Sequence, residues 1–242
     1  MILAYENKVF DYVISATNEQ PNQPVENLQD ERLSRKWQSV TGGTLYLTLD
    51  TSFTADCVIV KDHNIALTDT VTLEGSSTIA FSSIDVSESL TVVAGGFGKT
   101  FTSATKYWRL KIVAANPVFL GGLYIGESWE MPAYELSSIT EYTTKDTAYT
   151  SESGQKYGDK KYNYRISSFV FPWVYRDVDD VVLRDLWDTH TIVKPFYVIQ
   201  YEDKQSEYPI WYCVMTDSLK LQEDSTNVQI FINTAFKIEE AF

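Results

Sequence analysis

Histidine and cysteine are scarce in this chain, with two of each among 242 residues. Neither His63 nor His190 has an HxH, HxxE or cysteine pairing beside it. The sequence therefore spells out no zinc site and no nucleophile–base pair. Cys57 and Cys213 lie far apart in apolar runs, which suits two small core residues better than a disulfide or a cysteine metal site. Basic runs are missing too, the longest being the doublets Arg35-Lys36 and Lys160-Lys161. With 33 acidic against 20 basic residues, the net charge of −13 repels nucleic acid and anionic membrane surfaces. Its plain consequence is solubility. No apolar run approaches the roughly 20 residues that cross a bilayer. The opening MILAYENKVF lacks the basic start and continuous apolar core of a leader. The expectation is a protein made and folded in a cytoplasm, without membrane insertion.

What the chain does contain is β-prone. Hydrophobic residues make up 44% and aromatic residues 14%, led by 16 tyrosines, so the chain carries enough apolar mass to fold as one or two globular domains. Leu45 to Asp50 alternates apolar and polar positions at the strand period. Further strands are expected at Cys57–Val60, Val71–Glu74, Leu90–Val93 and Tyr107–Val113, set apart by Gly42-Gly43, Gly75-Ser76-Ser77 and Gly95-Gly96. The stretch TKYWRLKIVAANPVFLGGLYIG (105–126) reads as an aromatic-rich strand pair turning at Asn116-Pro117 and closing a first domain. After about Ala133 the composition turns polar, in SSITEYTTKDTAYTSESGQKYG, as in a linker or a long loop partly ordered as a hairpin.

The last third starts with a strong strand pattern, Tyr162 to Phe171. Val178, Val181, Val182, Leu183, Leu186 and Trp187 then fall on one helical face, behind acidic residues that suit a helix start. Strands follow at Phe196–Tyr201, Pro209–Met215 and Asn227–Phe236. The reading is a mainly β protein, with an N-terminal antiparallel jelly-roll sandwich over 1–130 and a polar linker or loop over 131–160. A β-rich domain over 161–242 carries one packed helix at about 177–190.

Two features imitate functional motifs. Ala94-Gly95-Gly96-Phe97-Gly98-Lys99-Thr100 looks like part of a phosphate-binding loop, but Val93 stands where the motif needs its first glycine. The β-prone FTSAT that follows offers no helix N-terminus for phosphates, so the stretch is read as a turn. Asp177, Asp179 and Asp180 lack the glycine and spaced ligands of a calcium loop. No catalytic residue, cofactor or metal is expected.

The segments PVENLQDERLSRKWQS (24–39), LYLTLD (45–50), CVIVKDHNIALTDTVTLEGS (57–76) and KYWRLKI (106–112) occur in an order that resembles the galactose-binding-like, or discoidin-type, jelly roll. That likeness covers about half the chain. Trp37 and Trp108 match positions that are core in such folds. The second half resembles the C-terminal part of bacteriophage minor tail proteins, through Leu123-Tyr124-Ile125-Gly126, then Ser151 to Tyr157, then strand and helix; the second glycine of the SxGGQxY-like segment is missing. Together the resemblances imply a structural component of a phage tail tip or baseplate, in the virion after assembly in the host bacterial cytoplasm. Its partners would be other tail-tip or tail-tube proteins and copies of itself in a ring. The alternative they imply is a carbohydrate-binding module for a cell-surface glycan with an accessory β domain. Loops 27–37, 61–66 and 95–99 would hold the glycan. The residues singled out for interface or glycan contact are Trp129, Asn64, Phe97 and Tyr157.

Overall fold

The computed structural model describes residues 1–131, 139–144, 147–150, 152–153, 155–159, 163–175, 179–190, 193–216, 220–223 and 231–241. They form two compact units, one of Met1–Glu130 with Phe196–Trp211, the other of Met131–Pro195 with Tyr212–Ala241. Along the chain run β1 (Ile2–Ala4), β2 (Ile14–Ala16), β3 (Trp37–Gln38), β4 (Gly43–Leu49), β5 (Phe53–His63), β6 (Thr70–Ser76), β7 (Val86–Leu90), β8 (Gly96–Ala114), β9 (Phe119–Gly126) and β10 (Trp129–Glu130). They continue as β11 (Ile139–Thr144), β12 (Thr147–Thr150), β13 (Lys156–Asp159), β14 (Asn163–Tyr175), α1 (Asp179–His190), β15 (Phe196–Ile199), β16 (Trp211–Met215), β17 (Lys220–Glu223) and β18 (Phe231–Glu240). The protein is mainly β, with antiparallel sheets arranged as a sandwich.

In the first unit the sandwich is organised by β8. Its first half pairs with β5, from Lys61↔Gly96 to Phe53↔Lys106. Its second half leaves that sheet and runs between β4 and β6, with Leu47↔Leu110 and Leu73↔Leu110 in register. One face is therefore β3-β9-β5-β8 and the other β2-β4-β8-β6-β7. Leu45, Leu47 and Leu49 are buried while Tyr46 and Thr48 are half-exposed, as a strand covered on one side requires. Cys57 to Val60 are all buried, so β5 is covered on both sides. Trp37 and Trp108 are fully buried, and Trp108 donates its indole N–H to the Phe53 carbonyl (3.0 Å). Gly75 faces Trp108 across the ladder because a Cβ there would stand 2.7 Å from the indole ring.

The sequence reading differs from the structure at three places here. Of the stretch 94–100, read as a turn, only Ala94-Gly95 turns, with Gly95 at φ +83°, and β8 starts at Gly96. The strand expected at Leu90–Val93 ends at Leu90 and starts at Val86. Residues 196–211, placed by sequence with the C-terminal region, belong to the first unit. There β15 pairs with β1, which also pairs with β10. The Tyr197 ring meets Tyr124 edge-on at 5.8 Å, and Lys61 Nζ reaches the Ile210 carbonyl at 2.7 Å.

In the second unit β14 pairs with β18 on one side and β11 on the other. Its register shifts between Phe171 and Val174, where Pro172 has no N–H to give the ladder. β16 and β17 also pair with β18, and β12 with β13 as a separate hairpin. Arg165 holds Glu240 through two nitrogens, at 2.6 and 2.9 Å. In α1, Leu183, Leu186 and His190 are buried, and His190 Nδ1 lies 3.1 Å from the Pro195 carbonyl. Residues 177–178, the first of the expected helix, lie outside the described residues. No described helix is long and apolar enough to cross a membrane.

Candidate functional site

Three loop segments singled out from the sequence meet at one end of the sandwich. Near that end of β5 Asp62 takes a φ of +50°, one that Asp tolerates better than most side chains. This conformation lets the Asp62 N–H reach the Gly95 carbonyl (3.0 Å), so the 61–66 and 95–99 segments are tied. Asp62 also takes the ammonium of Lys36 at 2.9 Å, which brings in the 27–37 segment. Asn27 donates to the Lys36 carbonyl (2.8 Å) and fixes that loop from within.

His63 braces the site instead of serving it. Its Nδ1 accepts the Ile65 N–H (3.1 Å), so Nε2 carries the proton and donates to the Val93 carbonyl (2.9 Å). The ring stands edge-on to Phe97 at 4.9 Å. Burial lowers the His63 pKa below its ordinary value, outweighing the Val93 carbonyl and Asp62, which pull the other way. Protonation would also break the bond from Ile65. Since the folded pKa is the lower one, the stabilisation is complete above the ordinary value and lost as pH falls through the folded value. Urea midpoints are expected to hold steady down to about pH 6.5 and then decline. A His63→Gln protein should lack that first decline, and identical slopes in both proteins would rule the account out.

Asn64 clamps a fourth segment. Its Nδ2 donates to the Pro117 carbonyl (3.0 Å) and its Oδ1 accepts the Phe119 N–H (2.7 Å). Phe119 is thereby held half-exposed beneath Lys36, whose Nζ sits 4.2 Å from the ring centroid. In the same loop as Lys36, Asp30 takes Arg32 through two nitrogens (2.8 and 2.7 Å) and Arg35 at 3.3 Å. Hydrogen bonding from Arg32, chiefly, holds the Asp30 carboxyl well below the usual range. Arg32 and Arg35 remain more than half exposed. The result is a half-exposed aromatic ring under a fixed ammonium, which a carboxylate holds in turn, with two exposed arginines on the same loop. Such a surface can bind a polar ligand.

The four residues singled out from sequence do not gather there. Asn64 does, but both ends of its amide are already in use. Phe97 is corrected from a surface contact to a core residue: it is fully buried because β8 turns it inward opposite Val60. Trp129 is half-buried on β10 opposite Leu3, beyond the end of β9 that lies away from Phe119. Tyr157 lies on β13 opposite Tyr149 in the other unit, and its side chain lies outside the described residues. Lys36 and Asp62 fall within loops that the sequence reading chose without naming them individually, and Phe119 falls outside those loops. The one local signal was the Arg35-Lys36 doublet in a loop of an otherwise acidic chain.

No protein-family model matches the sequence, and the curated proteins give no significant match. Among solved structures, the chain is similar to chitosan-binding module 1 of a chitosanase/glucanase from Paenibacillus sp. IK-5, at 14% identity over 50% of this chain and 98% of that one (TM-score 0.41). It is similar to a fucose binding module from Streptococcus pneumoniae at 7% identity, over 50% and 95% (TM-score 0.43). It is also similar to the lectin domain of lectinolysin complexed with Lewis b antigen, at 8% identity over 51% and 98% (TM-score 0.43). These neighbours are carbohydrate-binding modules.

Proposed function

We propose that the first unit is a non-enzymatic carbohydrate-binding module whose loop end takes a cell-surface glycan. The observation that carries this reading is the convergence of Lys36, Asp62 and Phe119, held in place by Asn64. A sugar presents an apolar ring face and a rim of hydroxyls. Saccharide sites answer with an aromatic surface and a few fixed polar groups. The exposed Arg32 and Arg35 add donors at the rim. On a glycan array the protein should bind a defined subset of structures. A Lys36→Ala, Phe119→Ala protein should lose at least about tenfold in affinity, as removing a charged hydrogen bond does. Silence across the array, or binding untouched by the double substitution, would falsify the reading.

A second reading is favoured by the order of elements. A strand ending in Gly126 is followed by a polar stretch, then by β14, α1 and β16 to β18, the layout of the minor tail proteins to which the sequence bears a resemblance. In this reading the chain is a tail-tip or baseplate component. It would assemble in a host bacterium into a ring with copies of itself and other tail proteins, its sandwich facing a host glycan. Nucleic acid and membrane are not among the proposed partners. Gold-labelled antibody confined to the distal end of tails supports this reading, and label absent from every particle removes it.

A further inference from the structure

A cleft of about 610 Å³ opens on the first unit, and neither Lys36, Asp62 nor Phe119 lines it. Its walls come from the end of β7, the start of β8 and the turn that follows β15. That size falls within the usual range for small-ligand sites.

The walls are fixed by bonds that leave the interior polar. The Gln205 side chain, 6% exposed, pairs with β8 as a strand residue would: Nε2 donates to the Gly98 carbonyl (2.7 Å) and Oε1 accepts the Gly98 N–H (3.0 Å). Glu202 accepts from both the N–H (3.0 Å) and the hydroxyl (2.7 Å) of Thr100. Tyr208 N–H closes the turn onto the Lys204 carbonyl (2.8 Å), and the Tyr201 and Tyr208 rings pack at 4.7 Å. Lys99 is held by Glu88 at 2.7 Å. The lining side chains of Ser89, Thr91, Asp203 and Ser206 make no hydrogen bond to another described residue.

Those groups select among ligands. Hydroxyls both donate and accept, and a carboxylate accepts, so together they match a ligand bearing several hydroxyl groups. Glu202, Asp203 and the adjacent Glu88 outnumber Lys99, which disfavours an anion. Among the described residues no three histidine, cysteine or acidic side chains gather to hold a metal ion. The geometry points to a second saccharide site, selective for neutral sugars, that shares the 95–99 segment with the loop end but none of Lys36, Asp62 and Phe119. With no aromatic ring among its lining residues, it holds its ligand by hydrogen bonds, and binding is weak.

The test is amide chemical-shift mapping of the whole chain titrated with lactose, maltose and cellobiose, and with glucuronic acid as the anionic counterpart. The expected result is that at least one disaccharide shifts Gly98, Lys99 and Ser206, while glucuronic acid does not. Asp203→Asn should weaken that binding by about tenfold, as the loss of a charged acceptor does. It should leave the spectrum of the free protein otherwise intact, since Asp203 is exposed. Three outcomes overturn the proposal: no shift with any of the three disaccharides, shifts confined to residues 62–66 and 117–119, or equal response to glucuronic acid. The loop-end reading is probed separately, by the Lys36 and Phe119 substitutions, so either site can fail alone.

Discussion

Trp108→Ala is expected to cost the first unit about 3–5 kcal/mol, the range for truncating a large aromatic in a packed core. The indole is fully buried where β8 passes from one sheet into the other. Phe101 packs on it at 5.3 Å, and Gly75 leaves room for its ring. Truncation opens a cavity at the junction of the two sheets and strands the Phe53 carbonyl without its donor. Trp108→Phe keeps most of the volume and loses chiefly that hydrogen bond, so its cost should be about 1–2 kcal/mol. Urea unfolding of the three proteins gives both differences. A loss below about 1 kcal/mol for the alanine protein would mean that the site collapses freely.

The second large effect is electrostatic. Glu74 is buried in β6, with its carboxylate 2.6 Å from Arg109 and 3.3 Å from Lys111. The Arg109 guanidinium is itself packed between the Tyr46 and Phe81 rings, at 4.4 and 4.2 Å from their centroids. Glu74→Ala removes the anion and leaves that cation without its carboxylate, held between two rings. The expected cost is about 3 kcal/mol, at the lower end for buried pairs because a third of the Lys111 side chain still reaches solvent. Replacing both partners, Glu74→Leu with Arg109→Leu, should recover most of the loss, because the only charge left without its partner is Lys111, whose side chain reaches solvent. A double replacement as unstable as the single one would show that packing, not the stranded charge, sets the cost.

Local patterns carried much of the first unit in the sequence. The alternation of Leu45, Leu47 and Leu49 announces β4, and the unbroken apolar run Cys57–Val60 announces β5, because burial on one or two faces writes itself into neighbouring residues. The start of β8 was hidden because Gly95, Gly96 and Gly98 carry a turn's composition. The strand survives there since Val58, Val60 and Lys61 supply the ladder. The same glycines made Phe97 look exposed. At the loop end, the three segments were legible as neighbours, but the groups that face a ligand were not. Lys36 over Phe119 joins residues far apart in sequence, and no local spacing encodes that pair. The attachment of residues 196–211 to the first unit was equally silent, because Gln205 pairs with Gly98 through a side chain that resembles any other surface glutamine.

That attachment sets an order of events during synthesis. A chain emerging from the ribosome has β1 to β10 in hand long before Gln205, Glu202 and Ile210 arrive to meet Gly98, Thr100 and Lys61. N-terminal domains usually fold as they are made, and the core of this one, from Val9 to Ile125, is complete without the late segment; that segment docks last, across a high sequence separation, and such closure is slow. Until then β8 has an uncovered edge, open to pairing with other chains. A fragment cut at residue 130 would keep that exposed edge permanently, and would be the sticky form of this protein.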